Sequence, residues 1–211
     1  AGTVLGSYSW RAMLCGTTAY AVCYHASRAN ERYLWRATAA RQGNFVVFVR
    51  FAVHRREQEA GAPSTHGRLF FGVTTENVPI ITANDPSALT TPLVGFGMDT
   101  GDEDATGWSL YHNDASGTPT KTTLGLPYVA DDVFELTIST PVAGTSFDVV
   151  FYNRTQNRRY SASLTSDIPA VNTQLRWYWG ASSDSLSAEA AGVATQIYLS
   201  EYYLRYPRGD L

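Results

Sequence analysis

The chain has 211 residues, of which 44% are hydrophobic, 13% aromatic and only 17% charged, with a net charge of −3 at neutral pH. That length supports one well-buried core, and the negative balance disfavours a general nucleic-acid binder. No apolar run is long enough to cross a membrane as a helix, so membrane insertion is not expected.

Residues 1–30 are rich in Ala, Gly, Ser and Tyr and hold no sustained period, which predicts an extended amino-terminal arm or an edge strand preceding a β-sandwich over residues 31–211. The opening AGTVLGSYSW lacks the basic flank and apolar core of a signal peptide. Regular structure is expected to begin at residues 31–38, ERYLWRAT. Residues 44–54, NFVVFVRFAVH, form the clearest strand. Phe45, Val47, Val49, Phe51 and Val53 make one apolar face, and Val46, Phe48, Arg50, Ala52 and His54 make the other. A charged loop at 55–66 leads to a strand at 68–74, and a long connection at 75–91 contains Asp85-Pro86-Ser87-Ala88-Leu89, a sequence suited to one helical turn.

Residues 93–98 alternate large and small side chains, as does a strand closely approached by a neighbour. After an acidic turn, a second strand carries Trp108, Leu110 and Tyr111 into the polar loop HNDASGTPTK. Alternating strands follow at 132–140 and 146–153, then strands at 160–164, 174–181 and 193–206. The prediction is an all-β protein, an antiparallel two-sheet β-sandwich of the jelly-roll kind.

Three constellations could carry chemistry. Asp99, Asp102 and Asp104, with Glu103, put hard oxygens close together, but their spacing is not that of a helix–loop–helix calcium site, and a solvated acidic turn is expected. No cofactor is expected. The carboxylate pair of a glycoside hydrolase is not evident: no E-x-D-x-x-E occurs, Glu57 and Glu59 lie in a loop, and Glu135 stands among Thr and Ser. No Gly-x-Ser-x-Gly or phosphate-cradling loop occurs either, so no enzyme is expected. Candidate ligand-binding residues are Trp108 and Tyr111, whose rings could stack on a sugar, with His112, Asn113, Asp114 and Ser116 as hydrogen-bonding partners for its hydroxyls. Cys15 and Cys23 have no zinc-ligand companions.

The ordered motifs FFGVT (70–74), GFGMD (95–99), the tryptophan strand, HNDASGTPTK (112–121) and LGLPY (124–128) give the chain, from about residue 45 to 203, a resemblance to the carboxy-terminal domain of bacteriophage tail-fibre and minor tail proteins. The resemblance implies a concanavalin-like sandwich related to lectins, and a virion structural protein whose tail-fibre or receptor-binding role is to contact a host cell-surface glycan. It implies other virion proteins as partners, a homotrimer, and assembly in the bacterial cytoplasm, where reduced thiols are expected. A decoration or adaptor subunit that binds virion proteins without glycan is the alternative, and a carbohydrate-active enzyme a more distant one.

Overall fold

The computed structural model describes residues 11–14, 22–26, 45–54, 68–81, 84–102, 106–141, 144–182 and 196–205. Side chains at 11–14, 22, 23, 54 and 196 lie outside that description. So do the strand expected at 31–38, the loop carrying Glu57 and Glu59, residues Glu103 and Asp104, Cys15 and the thiol of Cys23.

Twelve strands are described: β1 (Arg11–Leu14), β2 (Val22–Ala26), β3 (Val46–His54), β4 (Arg68–Thr74), β5 (Leu93–Met98), β6 (Trp108–Asn113), β7 (Thr120–Leu126), β8 (Val133–Ser139), β9 (Phe147–Asn153), β10 (Arg158–Leu164), β11 (Arg176–Ser182) and β12 (Gln196–Arg205). They form two six-stranded sheets, ordered β1-β12-β3-β8-β9-β10 and β2-β11-β4-β5-β6-β7. Neighbours pair antiparallel throughout. The fold is the expected all-β sandwich. Within residues 1–30, β1 and β2 each form an edge of a different sheet, so this segment contributes to the sandwich itself.

The sheets differ in how sequence meets solvent. In the first, VFELTIS of β8 and FDVVFYN of β9 alternate buried and half-buried positions, as strands with one face in the core must. In the second, RLFFGVT, LVGFGM and WSLYHN of β4, β5 and β6 are buried at every position. The inner face carries Phe71, Val73, Phe96, Trp108, Leu110, Trp177 and Trp179 into the inter-sheet core. Phe51 from the first sheet stacks on Phe71 from the second with ring centroids 4.0 Å apart, and Trp108 meets Phe151 at 4.9 Å and Phe134 at 5.0 Å.

The outer face of the second sheet is buried along its central strands β4, β5 and β6 because the chain between β4 and β5 folds back over it. Ile80, Ile81 and Leu89 from that connection pack on Phe70, Leu93, Tyr111 and Tyr178. Pro86–Ala88 forms a single 3-10 turn within it, with proline fixing the opening φ. Gly72 and Gly95 face each other across β4 and β5, and a Cβ on either would run into the opposing backbone and the Phe70 ring. These glycines therefore set the closeness of the two strands.

Candidate functional site

The β6–β7 hairpin, the loop chosen from sequence, is held by a residue the sequence did not single out. Asp167, in the loop between β10 and β11, accepts the backbone N–H of Asp114 on one carboxylate oxygen and that of Thr120 on the other, each at 3.1 Å. Both ends of the turn are thereby tied to a second loop. His112 Nδ1 lies 2.9 Å from the backbone carbonyl of Asp167. A carbonyl only accepts, so Nδ1 carries the proton in this bond. The same nitrogen is 3.7 Å from the Asp167 carboxylate.

Asn113 acts inside the turn. Its amide nitrogen donates to the carbonyls of Leu89 at 3.1 Å and Gly117 at 2.9 Å, while its oxygen accepts from the N–H of Ala115 at 2.9 Å. With 0% exposure it is a scaffold of the loop and offers nothing to a ligand. What remains at the tip is polar and exposed: Asp114, Ser116 and Thr118, with Ala115 and Gly117 between them. Asp114 accepts the N–H of Ser116 at 2.7 Å. Hydrogen bonds from the Ser116 side chain and backbone hold the Asp114 carboxyl below its usual value, so the tip carries a fixed negative charge. Such a surface can accept hydrogen bonds from hydroxyl donors and can donate from Ser116 and Thr118.

The two rings expected to stack on a sugar do not reach that tip. Trp108 is 0% exposed and lies in the inter-sheet core, because the even-numbered positions of β6 face inward. Tyr111 is also 0% exposed, on the opposite face, beneath the connection that covers the second sheet. Neither ring has a free face. The sequence grouping of Trp108 and Tyr111 with Asp114 and Ser116 is corrected to that extent: the polar members cluster at the turn, and the aromatic members belong to two separate packed layers. Trp177, Tyr178 and Trp179 are buried in the same alternating way.

The acidic segment is not the solvated turn expected. Asp99 and Asp102 are each 7% exposed. Lys121 Nζ from β7 donates to both, at 2.9 Å in each case. Asp102 also accepts from the Asp99 N–H at 2.9 Å, from Thr106 Oγ1 at 3.0 Å and from the Tyr111 hydroxyl at 3.3 Å, and Asp99 accepts the Ser87 N–H at 3.0 Å. Burial pushes the Tyr111 phenol far above its ordinary value, and the Asp99 and Asp102 charges add to the effect, so it stays neutral and donates. Burial alone would lower the Lys121 value, but hydrogen bonds and charges from Asp102 and Asp99 outweigh it and raise the ammonium above its ordinary 10.5. Asp99 and Asp102, two of the carboxylates suggested as metal ligands, are thus spent on an internal ion network, while Asp104 and Glu103 lie outside the described residues. Among the described residues no group of three or more His, Cys, Asp or Glu side chains is arranged to hold a metal. Lys121 on β7 thus ties Asp99 and Asp102, which follow β5, to the strand two positions along the sheet.

No protein-family model and no curated protein sequence matches the chain. Solved structures do match in shape. The winged bean acidic lectin, solved in complex with methyl-α-D-galactose, superposes with a TM-score of 0.61 at 13% identity, over 97% of this chain and 89% of the lectin. The Lotus tetragonolobus seed lectin gives 0.53 at 12% identity, over 97% of each chain. Peanut lectin, solved with a nine-residue peptide, gives 0.51 at 12% identity, over 93% of this chain and 97% of that one. At such identities the likeness is one of fold, and the chain has the concanavalin-like two-sheet architecture of these lectins.

Proposed function

We propose that this protein is a non-enzymatic, lectin-like recognition module that contacts a cell-surface glycan through the tip of the β6–β7 hairpin. The observation that carries this reading is the clamp of Asp167 on the backbone N–H groups of Asp114 and Thr120, which fixes a turn whose exposed side chains are Asp114, Ser116 and Thr118. A fixed backbone lowers the ordering cost of binding a polar ligand, and loops at the end of a rigid sandwich are the usual place for recognition. The fold shared with the winged bean lectin, which was solved with a galactoside, supports a sugar as the ligand class. The resemblance to tail-fibre domains supports a setting in a bacteriophage virion, as a homotrimeric receptor-binding subunit assembled in the host bacterial cytoplasm. Light scattering at about three times the chain mass is the expected result for that assembly.

A second reading has its own observation. Because Trp108 and Tyr111 are buried, the hairpin tip lacks the ring that a sugar usually stacks upon. That favours a decoration or adaptor subunit binding other virion proteins through the same polar turn. A glycan array separates the two. Binding to a defined set of glycans, lost with Asp114→Ala and Ser116→Ala together, supports recognition of sugar. An array silent at high protein concentration, with retained binding to virion components, supports the adaptor.

A further inference from the structure

The outer face of the first sheet carries a separate arrangement. Strand register sets Glu201, Arg50, Glu135, Tyr152 and Arg159 side by side across β12, β3, β8, β9 and β10. Arg50 bridges Glu135 at 2.7 Å and Glu201 at 3.0 Å. Arg154, from the β9–β10 turn, makes a second 2.7 Å contact with Glu135. Both carboxylates of the row are therefore taken. Arg159, at its far end, is exposed and makes no ion pair among the described residues. The Tyr152 hydroxyl donates to Asn157 Oδ1 at 2.8 Å, which fixes the ring and leaves the amide nitrogen of the exposed Asn157 as a donor. Between these residues lies a groove of roughly 410 Å³ lined by Glu135, Thr137, Val150, Tyr152, Asn157 and Arg159.

We propose that this groove binds an acidic saccharide, its ring laid on Tyr152 and its carboxylate paired with the Arg159 guanidinium. The volume falls within the range of about 300–1,000 Å³ typical of small-molecule sites. A half-buried tyrosine held by its own hydroxyl offers a flat apolar face to sugar C–H groups, and Thr137 and Asn157 supply hydroxyl and amide partners. The charge selects the acid. Immediately around the groove the guanidinium groups of Arg50, Arg154 and Arg159 stand against the carboxylates of Glu135 and Glu201, and Arg159 is the one of the three that is in neither ion pair, on a chain whose net charge is −3. Asp148 shares the face beyond Val150 and does not line the groove. A planar guanidinium pairs with a carboxylate through two parallel charge-assisted hydrogen bonds, stronger than any it can make to the hydroxyls of a neutral sugar. This groove lies on the sheet opposite the β6–β7 hairpin, so it stands apart from the function proposed above.

The test is a titration of the isotope-labelled protein, followed by backbone amide resonances, with sodium D-glucuronate, D-glucose and sodium acetate. Glucuronate is expected to shift the amides of Thr137, Tyr152, Asn157 and Arg159 and to bind more tightly than either control. Arg159→Ala, at an exposed position with no ion pair among the described residues, is expected to weaken it by about tenfold or more, Arg159→Lys by less, and Asp114→Ala with Ser116→Ala not at all. Equal affinity for acetate would reduce the site to a simple anion contact and overturn the proposal. So would wild-type binding by Arg159→Ala, or no shift at these amides. A self-associated protein that Val150→Arg converts to monomer would assign the face to a second copy instead.

Discussion

Lys121 Nζ lies 2.9 Å from the carboxylate of Asp102, a buried acid held by a lysine whose side chain is half-buried. The same ammonium neutralises Asp99 at 2.9 Å. Removing it leaves two buried carboxylates without a cation, which costs far more than losing an exposed ion pair. Lys121→Met should destabilise the protein by about 1–3 kcal/mol, read as a lower urea midpoint. Its alkaline behaviour follows from sign. Lys121 and Tyr111 both titrate above their ordinary values, 10.5 and 10.0, in the folded protein. Their contribution is complete below those values and is lost as pH rises beyond them, because the unfolded chain gives up its protons first. Stability measured from pH 8 to 12 should fall steeply above about pH 10 in the wild type, and less steeply in Tyr111→Phe. An unchanged alkaline profile in that variant would show that the buried phenol is not coupled to folding.

Trp108 gives the sharpest separation between core and site. Its ring contacts Phe51, Phe134 and Phe151 in the interior, and its indole N–H finds no acceptor among the described residues. Trp108→Ala should cost about 3–5 kcal/mol through the cavity it leaves. Trp108→Phe should cost less, since it removes an unpaired N–H along with the volume. Glycan affinity of folded Trp108→Phe should match the wild type. A large loss of affinity at unchanged stability would return this ring to the binding surface.

Much of the fold was legible. In β3, β8 and β9 one face is apolar and the other mixed, and period-two alternation identifies such strands directly. The second sheet was harder to read because both faces of its central strands are covered. Tyr111 looks from sequence like an aromatic residue awaiting a ligand, yet it is roofed, with Tyr178, by Ile80, Ile81 and Leu89 from a connection that reads as a long, proline-containing loop. The polar tip of the hairpin was visible as composition. Its anchor was not, because Asp167 lies 53 residues from Asp114 and its only local mark is a turn conformation, φ 48°. For the same reason Asn113 looked like a ligand and is a brace: nothing in the sequence shows that Leu89 and Gly117 take both of its protons.

The anchoring role of Asp167 has a direct consequence. Asp167→Ala leaves the N–H groups of Asp114 and Thr120 without their acceptor, and should cost about 1–3 kcal/mol. Hydrogen exchange should quicken at those two amides while the central strands keep their protection. Asp167→Asn, which retains one acceptor oxygen, should restore part of the protection. Uniform loss of protection across both sheets would mean that the loop is part of the cooperative core.

The claim on which the functional account turns is that a polar, pre-ordered hairpin tip meets the glycan. Asn113 must stay, since its replacement would dismantle the turn. Asp114 and Ser116 are exposed and bonded mainly to each other, so Asp114→Ala with Ser116→Ala removes the ligand-facing groups and spares the fold. The deciding measurement is the affinity of this double variant for a glycan selected on the array, with its thermal midpoint recorded alongside. The account predicts a loss of about tenfold or more with a midpoint close to the wild type. Wild-type affinity in a fully folded double variant would contradict it.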